Sequence, residues 1–114
     1  MKHWWLMLLL LWMAGCATDT PDKTAERAKA IAGLTGTPEA GKPLYEKHCQ
    51  SCHGADGKGT KTGSDLVGHL DHHGDQDFAK TILKGDGTMP AFADQLTDQQ
   101  VADILTYLRK SLGN

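Results

Sequence analysis

Cys49, Cys52 and His53 stand together in the run Cys49-Gln50-Ser51-Cys52-His53, and no other short stretch of this 114-residue chain constrains its fold as severely. Two thiols and an imidazole in the pattern Cys-x-x-Cys-His can fix a covalent cofactor and a metal ion at once. On a helix advancing about 100° per residue, the three side chains fall at roughly 0°, 300° and 40°, inside an arc about 100° wide. All three can therefore face one flat partner. Each thiol can add across a vinyl group of haem to form a thioether, and the adjoining imidazole can ligate the iron brought above it. The motif predicts one haem c, attached through Cys49 and Cys52, with His53 as an iron ligand.

Two other chemistries use closely spaced cysteines. A thioredoxin-like Cys-x-x-Cys needs a strand feeding a helix, and no Val/Ile-rich strand precedes Cys49. A structural zinc site takes four ligands, and Cys16 is the one further cysteine. The size of the chain favours haem as well. All three tryptophans fall within the first dozen positions, which leaves two tyrosines and two phenylalanines for folding. A domain of about 75 residues buries a modest core and ordinarily needs a staple, which an apolar porphyrin with two covalent links supplies. The formal charge is −2 with both signs interspersed, so the basic stripe of a nucleic-acid-binding protein is missing.

Lys2 and His3 precede ten apolar residues, Trp4 to Met13, and then the small residues Ala14 and Gly15. That run is too short for the roughly 20 residues of a membrane-spanning helix and has the form of an export signal. It resembles a bacterial lipoprotein signal, with Met13-Ala14-Gly15-Cys16 in the position of the lipobox, although Met13 stands where leucine is usual. By that resemblance residues 1–15 are a signal peptide and Cys16 is the lipidated amino terminus of the mature chain. Ala17, rather than an aspartate, leans towards the outer membrane. Residues 16–38 then read as a tether of partial order at best. Ala25 to Ile31 can make two helical turns, but few apolar residues are at hand to pin them to a core.

Residues 39–114 form the predicted folded domain. A helix is expected from Glu39 to Cys52, with Pro43 in its early part and Leu44, His48 and Cys52 four apart. The run from Gly54 to Gly59 is a turn region, for it lacks the strand and the Gly-Lys-Ser/Thr ending of a phosphate loop. Asp75 is expected to cap a short helix through Phe78, Ile82 and Leu83 that Gly85 ends. Thr97 and Gln100 have the spacing of a capping box, followed by the stripe Val101, Ile104, Leu105, Leu108 and Leu112. The fold class is all-α.

Gly41-x-x-Leu44-Tyr45, Cys49-x-x-Cys52-His53-Gly54, Asp56-Gly57-x-Gly59, Leu66-x-Gly68 and Gly87-x-Met89-Pro90-Ala91-Phe92 follow one another ahead of the Thr97–Arg109 stretch. In that order the chain resembles the class I c-type cytochromes, small bacterial monohaem proteins with three to four short helices around the haem. The resemblance implies His53 and Met89 as axial ligands, and Gly41 and Tyr45 packed near Tyr107 where first and last helices cross. Met89 sits in a polar, glycine-rich loop stiffened by Pro90, and a thioether sulfur there would raise the potential and close the sixth iron position. One departure stands out. The family commonly places Gly-Pro ahead of Leu-x-Gly, the proline carbonyl accepting from the proximal histidine. Here the run is Gly63-Ser64-Asp65-Leu66, so Ser64 or a neighbour must supply that carbonyl.

His69, His72 and His73 lie outside the family pattern and read as a solvated loop, with propionate contacts, a second metal or pH tuning as functional alternatives. Lys58, Lys61, Lys80 and Lys84 are scattered charges of a solvated face or a docking surface. The resemblance implies a monomeric, membrane-tethered, extracytoplasmic carrier of single electrons between other redox proteins, and not an enzyme. The alternatives are a haem enzyme or a gas or redox sensor that opens the sixth site, but no distal acid–base pair stands near Met89 in sequence.

Overall fold

The computed structural model describes residues 22–113. Cys16, the export signal over residues 1–15 and the first part of the expected tether lie outside the described residues. The elements are helices α1 (Asp22–Ala32), α2 (Pro38–His48), α3 (Gln50–His53), α4 (Asp75–Lys84) and α5 (Asp98–Tyr107). A 3-10 turn over Val67–His69 precedes α4, and α5 runs on into a π-helical turn over Leu108–Leu112. The described chain is all-α. Its one β-type pairing is the isolated bridge between Asp86 and Met89.

The crossing of α2 and α5 organises the rest. Gly41 is buried at the contact, and a Cβ there would overlap the carbonyl oxygen of Asp103 on α5. The two backbones touch because glycine removes the intervening side chain. One turn further on, the rings of Tyr45 and Tyr107 pack with centroids 5.5 Å apart. The expected capping box opens α5: Gln100 N–H donates to Thr97 Oγ1 at 3.1 Å and Thr97 N–H donates to Gln100 Oε1 at 2.9 Å. From that fixed start Val101, Ile104, Leu105 and Leu108 turn into the core, and Leu112 packs on its edge. Asp103, the one buried charged side chain among the described residues, accepts from Thr37 N–H and from the amide of Gln99, each at 3.0 Å.

Residues 22–32 depart from the expectation of a loosely ordered tether. They are a helix docked on α4 and α5, with Ala28 and Ile31 fully buried in the common core. Two apolar residues suffice because Arg27 adds a polar clasp. Its guanidinium pairs with Asp98 and donates to the carbonyls of Ala93 at 2.7 Å and Leu96 at 2.8 Å.

Two local expectations also change, and a third holds. The single helix expected from Glu39 to Cys52 breaks at Cys49, where φ of −116° separates α2 from α3. Asp75 does not cap α4. Gly74 occupies the cap, and the Asp75 carboxylate pairs with Arg109 instead. Gly85 does end α4, at φ +78°.

Ile31→Ala should cost about 2–5 kcal/mol of unfolding free energy, the range for a truncated core residue. Guanidinium denaturation of the haem-bound protein measures it, and a residue on a loose tether would cost almost nothing.

Candidate haem and iron site

Cys49, Cys52, His53 and Met89 all border one cavity of about 390 Å³, inside the usual range for a cofactor site. Its apolar walls come from Phe78 and Ile82 of α4, Phe92, and Ile104 and Leu108 at the end of α5. The residues that fill the core of the domain thus also line a hollow in it.

The imidazole of His53 is held by the loop that follows it. Its Nδ1 lies 2.8 Å from the carbonyl oxygen of Ser64. A carbonyl only accepts, so Nδ1 carries the proton and Nε2 keeps the free lone pair that a metal requires. Ser64 therefore supplies the carbonyl that the missing proline leaves open. The loop is pressed closely onto the motif: Thr60 Oγ1 donates to the Cys52 carbonyl at 2.6 Å, Thr60 N–H donates to Gly63 O at 3.0 Å, and Gly63 approaches the Cys52 backbone too closely for any side chain. Tyr45 Oη closes the other end by donating to Gly54 O at 2.6 Å.

A second braced loop carries Met89. Asp86 and Met89 exchange both backbone hydrogen bonds, at 2.9 and 3.2 Å, and Gly87 turns between them at φ +60°. Glycine at the first central position is what such a tight reverse turn selects. Phe92 N–H then donates to Ile82 O at 2.9 Å and Ala93 N–H to Leu83 O at 3.2 Å, fastening the loop to the last carbonyls of α4. Met89 is half-buried against the core.

Burial, and secondarily the charge of Cys52, pushes the Cys49 thiol up to about 11, so before modification it is a neutral thiol in an apolar setting. Tyr45 is pushed up to about 12, first by burial and then by the charges of Cys49, Tyr107 and Asp56. A thioether at Cys49 removes that residue's charge but leaves the burial in place. Two thiols, an imidazole with a free Nε2 and a thioether sulfur around an apolar hollow fit haem c.

His69 and His73 border the cavity; His72 does not, and shares a neighbouring surface depression with His73. Lys58, Lys61, Lys80 and Lys84 are all exposed. His48 and Phe78 border the cavity without having been singled out as site residues, and His48 stands edge-on to Phe92 with centroids 5.4 Å apart. Their helical spacing matches that of ordinary core positions, so sequence alone offers no signal for them.

A helical domain folded around a cavity that gathers Cys-x-x-Cys-His is a c-type cytochrome. Residues 36–108 match the family described as cytochrome c oxidase, cbb3-type, subunit III, and the chain belongs to that cytochrome c domain family. It is 37% identical over 118 aligned positions to the fructose dehydrogenase cytochrome subunit of Gluconobacter japonicus, covering 89% of this chain and 24% of that protein. Cytochrome c-555 of Methylococcus capsulatus is 26% identical, with 79% of this chain and 83% of that protein covered. The cbb3-type cytochrome c oxidase subunit FixP of Sinorhizobium medicae is 30% identical, with 82% and 36% covered. The chain thus spans about a quarter of the dehydrogenase subunit and about a third of the oxidase subunit. No solved structure matches it significantly. The domain is of a haem c family, with covalently attached haem and an electron-carrying role.

Tyr45→Phe removes the bond to Gly54, worth about 1 kcal/mol. It also removes an alkaline dependence. Because the folded-state value is raised from 10.0 to about 12, the contribution of Tyr45 is complete below pH 10 and is lost as pH rises towards 12. The stability gap between wild type and variant should narrow across that window, as denaturant midpoints at successive pH values would record.

Proposed function

We propose that this chain is a membrane-tethered monohaem cytochrome c that passes single electrons between extracytoplasmic redox proteins. In this reading Cys49 and Cys52 form the thioethers, and His53 and Met89 are the axial ligands of the iron. The observation that carries it is the convergence of all four side chains on one cavity with apolar walls, Cys49, Cys52 and His53 from the start and body of α3 and Met89 from a braced turn. Haem c supplies reversible one-electron chemistry when bound.

What the chain adds follows from its own residues. Ser64 holds the His53 ring in the tautomer that presents Nε2, which raises its basicity as a ligand. The Asp86–Met89 turn limits the excursion of the thioether, and a soft sulfur ligand favours the ferrous state. Phe78, Ile82, Ile104 and Leu108 keep water from the interior, so little solvent reorganises when charge changes there.

Donor and acceptor are other redox proteins meeting the cytochrome in short-lived, small-area contacts. Two relatives are named as subunits of a dehydrogenase and of an oxidase, which supports assemblies of those classes as partners. Cytochrome c-555, of which most is covered, supports a free-standing carrier of this size. The anchor rests on the sequence of residues 1–16. No helix among the described residues is long and apolar enough to cross a membrane. In this proposal the lipid on Cys16 is the means of attachment.

Met89→Ala should keep haem attached through Cys49 and Cys52 while lowering the reduction potential and letting carbon monoxide bind the ferrous protein. Voltammetry and visible spectra check it. An unchanged potential, together with a wild type lacking a methionine-to-iron absorption band, would remove Met89 as ligand.

Cys16→Ser should shift the cytochrome from the membrane to the soluble fraction or leave its signal uncleaved. Fractionation with mass spectrometry of the amino terminus decides, and a freely soluble, unlipidated wild type would rule out the anchor.

A further inference from the structure

We propose that His69 and His73 form a two-imidazole site for a divalent transition-metal ion, of the zinc or copper class, at the rim of the haem cavity. His73 N–H donates to His69 O at 3.1 Å, so the two residues are one helical turn apart and share a face. Their ring centroids are 5.9 Å apart, with the planes inclined at 57°. Two imidazoles bound to one zinc at about 2.0–2.1 Å hold their centroids roughly 5–6 Å apart, so the pair already has nearly the span a shared ion requires.

The surroundings preorganise the pair. His73 Nδ1 lies 3.6 Å from Asp77 Oδ2, one turn further along and beyond hydrogen-bond length, so the carboxylate adds negative charge beside the site. The edge of Phe78 limits ring rotation, with centroids 6.4 Å apart and planes at 90°. Arg109 fixes the backbone of the turn by donating to Leu70 O at 3.2 Å and His73 O at 2.9 Å. The His73 side chain remains 53% exposed, so an ion can reach it from solvent. No third His, Cys, Asp or Glu among the described residues completes a protein-only metal site, so water fills the other positions.

The site is distinct from the axial ligation, but its effect on the haem rests on the function proposed above. A dication on the cavity rim disfavours the extra positive charge of ferric iron and raises the potential. By linkage the ferrous protein then binds the ion more tightly by the same factor, and a tenfold preference corresponds to about 59 mV for one electron.

The test uses the haem-bound cytochrome without a polyhistidine tag. Isothermal titration of the ferric protein with zinc chloride should give one site. His69→Gln and His73→Gln should each weaken it at least tenfold, and His72→Gln, whose residue does not border the haem cavity, should leave it unchanged. Electron paramagnetic resonance of added copper(II) should show two imidazole nitrogens in the wild type and one in each of the first two variants. Absence of zinc binding, binding indifferent to His69→Gln and His73→Gln, or equal loss in His72→Gln would overturn the site. Zinc binding that survives Met89→Ala separates it from the axial-ligand proposal, and a potential unmoved by bound zinc would overturn the redox coupling alone.

Discussion

The contact between Gly41 and the backbone of Asp103 sets the positions on which everything else depends. With no side chain between them, α2 and α5 come close enough for Tyr45 to stack on Tyr107 and for Tyr45 Oη to reach Gly54 just beyond the haem-binding motif. The same crossing brings Ile104 and Leu108 beneath the end of α2, where they become walls of the cavity. A Cβ at position 41 would push the helices apart. The tyrosine pair and the bond to Gly54 would be lost with the distance.

Each of the two proposed iron ligands is held by a backbone-braced loop: Met89 sits in one, and His53, at the end of α3, is gripped by the segment that follows it. His53 is followed by a segment whose amides and hydroxyls return to the motif, and Ser64 lends a carbonyl to the imidazole. Any residue that keeps the same backbone course could stand at 64, proline included, because only its carbonyl is used. Met89 is held by a glycine turn whose far end is fastened to the carbonyls of Ile82 and Leu83. Among the described residues no buried side-chain nitrogen or oxygen lacks a hydrogen-bond partner.

Sequence reasoning succeeded where a local rule determines structure. The capping box at Thr97, the end of α4 at Gly85 and the apolar stripe of α5 each depend on residues close together along the chain. The gathering of Cys49, Cys52 and His53 was legible from spacing, and Ser64 from the gap left by the absent proline. What escaped was non-local. Arg27 finds its partners 66 to 71 positions away, so nothing near it reveals that α1 belongs to the core. Asp75 looked like a cap until Arg109, 34 positions on, claimed its carboxylate. That His69 and His73 border the cavity and His72 does not is likewise set by packing that apolar periodicity does not register.

The docking of α1 has a mechanical consequence. An 11-residue helix is a rod about 16 Å long, and this one is clamped along its length by Ala28, Ile31 and the triple grip of Arg27. Any segment joined to Asp22 steers the whole domain through that rod, as a handle does, instead of leaving it to swivel about the turn at Gly33. The bearing of the cavity mouth is then set by the rod's axis. Loosening Arg27 would free that bearing without touching a single residue of the cavity.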